Sequence, residues 1–198
     1  MRYQADHAEQ TRAMVLSIAA AEIRTHGPNG VSVAGIMKRA GLTHGGFYAH
    51  FESKDVLLAE AVGEMFSNSA ALAKAMVADS QGFDRLRSFV RAYVSRSHRD
   101  SPEQGCALTT LANDIARASP LVRTAFDSGA KRLAGRLAAM IPDSVPNRSE
   151  LAQALLSEMV GAVSLSRAIS DASLSDAVLN NARRDLFARI DALEGHIQ

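Results

Sequence analysis

The 198 residues carry little that could make or break a covalent bond. Histidines stand at 7, 26, 44, 50, 98 and 196, with no His-x-x-x-His pair among them, and the single Cys106 cannot form a Cys-x-x-Cys. Metal-ligand spacing and an internal disulfide are both excluded. His98 and Asp100 are close in sequence, but no nucleophile joins them. There is no Walker loop and no Rossmann glycine pattern. The chain therefore reads as no enzyme, with no metal and no cofactor. Its polar chemistry is concentrated elsewhere. Between Lys38 and Lys54, three basic residues (Lys38, Arg39, Lys54) stand against Glu52 alone, with His44 and His50 added and with hydroxyls at Thr43 and Tyr48. Such donors suit phosphate oxygens and base edges. Taken alone, Lys38 and Arg39 make an ordinary solvated face; what surrounds them decides the reading.

Two short helices must position this set. Ser32 is a good N-cap for a helix over residues 33–40, which Gly41 breaks by supplying a left-handed turn at no steric cost. Thr43 can cap a second short helix through Gly45, Phe47 and Tyr48 to His50. Two helices of about eight residues meeting at a Gly-containing turn have helix-turn-helix spacing. Ile36, Ala40, Leu42, Phe47 and Phe51 supply the inward positions, facing Val15, Ala19 and Ile23 of a first helix over residues 9–26 that Gly27-Pro28 ends. Thr43, His44, Gly45, Gly46, Tyr48 and Ala49 are left outward. Gly45 and Gly46 bare the helix for close approach, at about 1 kcal/mol each in helix propensity.

The run Ala40-Gly-Leu-Thr-His-Gly-Gly-Phe-Tyr-Ala-His-Phe51, followed by Ser53-Lys54-Asp55 and Leu57-Leu58, resembles the DNA-binding domain of TetR/AcrR-type transcriptional regulators. The likeness covers about residues 10–60. It implies an operator-binding homodimer whose second short helix reads the major groove. The residues at matching contact positions are Ser32, Thr43, His44, Gly45, Tyr48, His50 and Lys54, with Lys38 and Gly46 joining them through the surrounding motif. Thr43 can present a hydroxyl and helix N-terminal amides to phosphate, Tyr48 a hydroxyl on a rigid ring, and Lys54 a point charge. His44 stands where many family members carry Lys, which makes that contact neutral or pH-dependent. Met37 stands where Ala is common.

Composition sets the frame for the rest. Hydrophobic residues make up 47% and charged residues 22%, ordinary values for a folded chain, and the formal charge is only +1, so any DNA-binding basicity must be local. Alanine numbers 35 and Trp none, a bias toward helix. No stretch is apolar enough for a membrane span or signal peptide, so a cytoplasmic protein is expected. The predicted fold is all-α, with about nine helices. Residues 1–53 form the helix-turn-helix domain. Residues 54–198 form a helical ligand-binding and dimerisation domain, and a helix over residues 54–78, capped by Ser53, connects the two. Leu86, Phe89, Val90, Tyr93 and Val94 make one apolar stripe, and Val122, Phe126, Leu133, Leu137 and Met140 another. Ser119 precedes Pro120 as an N-cap, and residues 142–146 are a loop.

A helix over residues 151–169 is apolar nearly all round, so it must be covered on two sides. With the last helix it predicts a four-helix dimer interface of Leu151, Leu155, Met159, Ala162, Ile169, Leu179, Leu186 and Ile190, with Ala152 and Gly161 permitting close approach. Two recognition helices must also reach grooves ~34 Å apart, which itself requires a dimer on palindromic half-sites. A small-molecule inducer is expected between the remaining helices, against Phe66, Phe89, Tyr93, Cys106, Phe126 and Met159; the same side chains at helical spacing suit a plain core. Cys106 has two readings. It is a small buried hydrophobe, or it is a thiol near a helix N-terminus with a lowered pKa in a repressor responsive to electrophiles. The segment from Gly105 to Arg123 resembles a branch of the family that includes electrophile sensors. From another class, a ligand-binding helical protein that uses its helix-turn-helix only for packing remains an alternative.

Overall fold

A computed structural model describes residues 2–195, so His196 lies outside the described residues. Among them there are nine α-helices, two 3-10 turns and no strand. Helix α1 (Arg2–Gly30) begins ahead of its apolar stripe and is broken at Gly27, whose φ of 71° only glycine adopts readily. That site has a second constraint, since a Cβ on Gly27 would lie 2.8 Å from the Asp114 carboxylate. Val15, Ala19 and Ile23 of α1 are fully buried, as their spacing predicts. Helix α2 (Val33–Arg39) starts at Ser32, whose Oγ accepts the Gly35 N–H at 3.1 Å. The turn that follows has Gly41 at φ 70°.

Helix α3 (Lys54–Met76) is capped by Ser53, whose Oγ accepts the Val56 N–H, and carries Asp55 in its first turn. It runs from the helix-turn-helix unit into the second half of the chain, where it packs along α7 (Pro120–Ala138). At their crossing Gly129 is buried against Phe66: a Cβ there would lie 2.1 Å from the Phe66 ring. Around this pair stand α4 (Gly82–Tyr93), the short α5 (Arg96–Asp100), a 3-10 turn at Pro102–Gln104, α6 (Ala107–Ile115), α8 (Arg148–Ala168) and α9 (Ala172–Gly195). Leu86, Phe89, Val90, Tyr93 and Val94 are all buried, as are Val122, Leu133 and Leu137, while Phe126 and Met140 are half-buried. Helices α4 and α9 are also bound by Arg87, which donates to Asp191 at 2.7 Å and to Glu194. Ser119 departs from its expected role. It is the N-cap residue of α7, but its hydroxyl makes no capping bond and is buried without a partner.

Candidate nucleic-acid interface and regulatory cavity

The recognition segment His44–Ala49 is a 3-10 turn rather than the expected α-helix. Its bonds run three residues back, from Gly46 N–H to Thr43 C=O and from His50 N–H to Phe47 C=O. Adjacent glycines give too little helix propensity to hold a full α-turn of this length. The segment is instead anchored by Phe47, which is 1% exposed and stacked on Phe51 with centroids 5.7 Å apart. Met37 and Ile36 complete the seat, both buried.

Around that anchor the polar residues face outward. Ser32, Lys38, Thr43, His44, Gly45 and Tyr48 are exposed, and Gly46, His50 and Lys54 are half-buried. Tyr48 is 68% exposed, its ring edge-on to Phe47 and to His44. The Thr43 hydroxyl makes no cap bond, contrary to the sequence expectation, and stays free to meet another group. Ser32 already accepts Gly35 N–H, which leaves its own O–H to donate.

Arg12 joins this site without any local signal in the sequence. From α1 it donates to the His50 carbonyl at 3.3 Å and to Glu60 on α3 at 2.6 Å, and its guanidinium lies 4.7 Å from the centre of the Phe51 ring. One side chain thus fixes α1, the end of the recognition segment and the start of α3 relative to one another. Nothing in local spacing marks a lone arginine on a helix for this role. Arg39 is likewise occupied, paired with Glu22 at 2.5 Å. The outward charge therefore rests on Lys38 and Lys54.

Residues 15–61 match the model for bacterial regulatory proteins of the TetR family, and residues 82–186 match the tetracyclin repressor-like C-terminal domain. The chain belongs to the TetR family. It is a DNA-binding transcriptional regulator. Its fold is that of Escherichia coli NemR in the reduced form (TM-score 0.77, 19% identity, 89% of this chain and 95% of that one). It is also that of TetR regulators from Chloroflexus aurantiacus (TM-score 0.75, 23% identity, 93% and 96%) and from Cytophaga hutchinsonii (TM-score 0.76, 19% identity, 92% and 95%). No curated protein is near enough in sequence to count as a match.

Beyond its helix-turn-helix unit this TetR-family chain holds a cavity of about 250 Å³, lined by Ser69, Phe89, Ala92, Tyr93, Ser95, Ser97, His98, Ser101, Gln104, Cys106 and Leu133. Of the residues expected to hold a ligand, Phe89, Tyr93 and Cys106 line it. Phe66 instead lines a much smaller neighbouring hollow, Phe126 packs edge-on to Phe66 at 5.6 Å, and Met159 is fully buried in the core. His98 organises one wall. Its Nδ1–H donates to the Tyr93 carbonyl at 2.7 Å and its Nε2 accepts the Cys106 N–H at 3.2 Å, so both bonds require the neutral ring. Burial lowers its pKa, in agreement.

Cys106 is buried at the N-cap of α6, and burial pushes its thiol pKa up. Of the two readings of Cys106, this agrees with the small buried hydrophobe and not with the thiol of lowered pKa: desolvation outweighs the helix terminus. The buried Tyr93 hydroxyl faces this thiol, and its contact lowers the Cys106 pKa against the larger effect of burial. Arg167 lies behind, half-buried. It donates to the carbonyls of His98 and Arg99 and to Thr109 Oγ1, all neutral acceptors. Gly105 leaves room for it, since a Cβ there would lie 2.9 Å from the guanidinium.

The residues expected at the dimer interface need correction. Leu155, Met159, Ala162, Leu179, Leu186 and Ile190 are buried inside the protomer, and Leu151 and Ile169 are half-buried. Of the two small residues expected to permit close approach, Ala152 is buried and Gly161 faces outward. Helices α8 and α9 pack on each other and on the rest of the domain through those apolar faces. What they leave exposed is a different stripe: Ala154, Ser157, Gly161, Leu165 and Ala168 on α8, and Leu174, Asn181, Asp185 and Ala188 on α9. Leu165 and Leu174 are 54% and 55% exposed.

Proposed function

We propose that this regulator is a cytoplasmic homodimeric repressor that grips palindromic half-sites through Ser32, Lys38, Thr43, His44, Gly45, Gly46, Tyr48, His50 and Lys54, and is released when a small molecule fills the 250 Å³ cavity. The observation that carries the DNA contact is the bareness of the recognition turn. Neither Gly45 nor Gly46 has a positive φ, and a Cβ on Gly45 would meet nothing within 4 Å. A Cβ on Gly46 would make only ordinary contacts, at 3.6 Å or more. Neither a positive φ nor a close neighbour within the protomer requires glycine at either position, whereas a DNA backbone coming close to the main chain would. Around them are neutral and cationic donors, and no carboxylate belongs to the turn itself.

Release has a physical path. Helix α3 brings Ser69 to the cavity and ends at Lys54 beside the recognition turn. The segment bearing Ser101, Gln104 and Cys106 lines the cavity, and the Pro102–Gln104 turn and α6 pack against α1. A ligand that moved this segment and α3 would shift α1 and the recognition turn together, because Arg12 ties the three. The separation between the two recognition turns of the dimer would change with it.

The test is titration of purified protein against labelled DNA from upstream of its own coding region. Binding should fall linearly in log–log form with salt, as counterion release requires. Tyr48→Ala and Lys54→Ala should each weaken it about three- to thirtyfold, in proportion to one lost phosphate contact. Salt-independent binding, or no loss in either variant, refutes the reading.

A further inference from the structure

The main cavity does not stand alone. A second hollow, of about 20 Å³, lies between α3 and α7 and shares Ser69 and Leu133 with it. The second hollow is lined by Phe66, Ser67, Gly129, Arg132 and Arg136. Arg132 and Arg136 are four residues apart on α7, hence on one helix face, and both are exposed. Among the described residues neither has an ion-pair or hydrogen-bond partner. No carboxylate lines either hollow. Behind the opposite wall, outside the lining, stands Arg167, half-buried and hydrogen-bonded to neutral groups, with Asp100 and Glu103 in its electrostatic surroundings. Positive charge thus borders the smaller hollow, while the main cavity beside it has aromatic walls: Phe89 and Tyr93 have centroids 5.7 Å apart, and Tyr93 and His98 meet edge-on at 4.6 Å.

We infer that the effector of this regulator is a small aromatic carboxylate, its ring among Phe89, Tyr93 and Leu133 and its carboxylate turned past Ser69 toward Arg132 and Arg136. The inference rests on the reading of the cavity as the inducer site. The main hollow lies just below the ~300–1,000 Å³ usual for drug-sized ligands, which suits one ring with a short side chain. Guanidinium groups bind carboxylates through paired hydrogen bonds, and two of them with no competing acid form a selective end. A cationic ligand would meet like charge at the Arg132 and Arg136 end and no carboxylate in the lining.

The test uses the full-length protein without DNA and calorimetry with matched pairs: phenylacetate against phenylacetamide and cinnamate against cinnamamide. At least one acid should bind roughly tenfold or more tightly than its amide. Arg132→Gln with Arg136→Gln, both surface changes, should bring the acid down to the level of the amide while leaving the amide unchanged. Equal affinity for acid and amide, discrimination that survives the double variant, or no binding by any member of the series overturns the inference. A crystal soaked with the tightest acid should have its carboxylate between Arg132 and Arg136; a carboxylate at the Ser97–Gln104 side overturns it as well. The inducer reading is checked separately. An acid that binds with the expected selectivity but leaves the protein on DNA supports the ligand class and refutes its role in release.

Discussion

His98 uses both ring nitrogens to hold backbone, and only the neutral form can do so. Its folded pKa is lowered, by burial first of all, so the unfolded chain binds the proton more readily. The contribution to stability is therefore complete above the unfolded value of about 6.5 and is lost as pH falls through the folded pKa. Thermal unfolding followed between pH 7.5 and 5 should show stability falling on the acid side of 6.5, above the range where carboxylates titrate. His98→Ala should remove that slope. It should also cost about 1–3 kcal/mol, because the Cys106 N–H loses its acceptor. A slope unchanged in the variant would assign the pH dependence elsewhere. Gly129 is the other single residue on which packing turns. With the Phe66 ring 2.1 Å from where a Cβ would sit, Gly129→Ala must displace α3 from α7. The expected cost is about 1–3 kcal/mol in chemical denaturation, whereas Gly135→Ala six residues further on, where a Cβ meets nothing, should stabilise by up to about 1 kcal/mol.

Among the elements, the recognition turn separates what stabilises the protein from what binds DNA. Gly45→Ala adds a methyl into open space and removes backbone freedom from the unfolded chain, so the variant should be as stable as the parent or gain up to about 1 kcal/mol. The same methyl stands where DNA must come close, so affinity for the operator should fall. Unfolding and DNA titration on one preparation check both; equal loss of stability and affinity would mean the glycine serves the fold. This turn also marks where sequence was and was not readable. Ser32 and Ser53 cap their helices as their positions predict, and Gly27 and Gly41 break the chain where a left-handed residue is needed. Those signals are local. Thr43 and Ser119 look the same in sequence yet make no cap bond, since the rotamer depends on neighbours brought in by the fold. The 3-10 form of residues 44–49 follows from paired glycines, whose effect on helix type a helical pattern does not reveal. The contacts of Arg12 with His50 and Glu60, and of Arg167 with His98 and Thr109, span 38 to 69 positions and leave no periodic trace.

The whole molecule is where sequence misleads most instructively. Helix α8 is apolar nearly all round, so hydrophobicity alone does not tell its inner face from its outer one. The large side chains Leu155, Leu156 and Met159 went inward, and the outward stripe is mostly Ala, Ser and Gly with Leu165 among them. A dimer built on α8 and α9 must therefore use Leu165, Leu174, Gly161 and Ala188, small residues that let helices come close with two leucines as anchors. The two alternatives predict opposite behaviour. Leu165→Glu places a charge at the proposed contact but in open water in the monomer. It should leave monomer unfolding within about 0.5 kcal/mol and shift sedimentation toward one chain. DNA binding should weaken sharply, because a single recognition turn loses the second half-site. Leu186→Ala empties a fully buried site, so it should cost about 2–5 kcal/mol while what remains folded still dimerises. If Leu165→Glu stays dimeric and keeps its grip on DNA, the outward stripe is not the interface and the two protomers meet elsewhere.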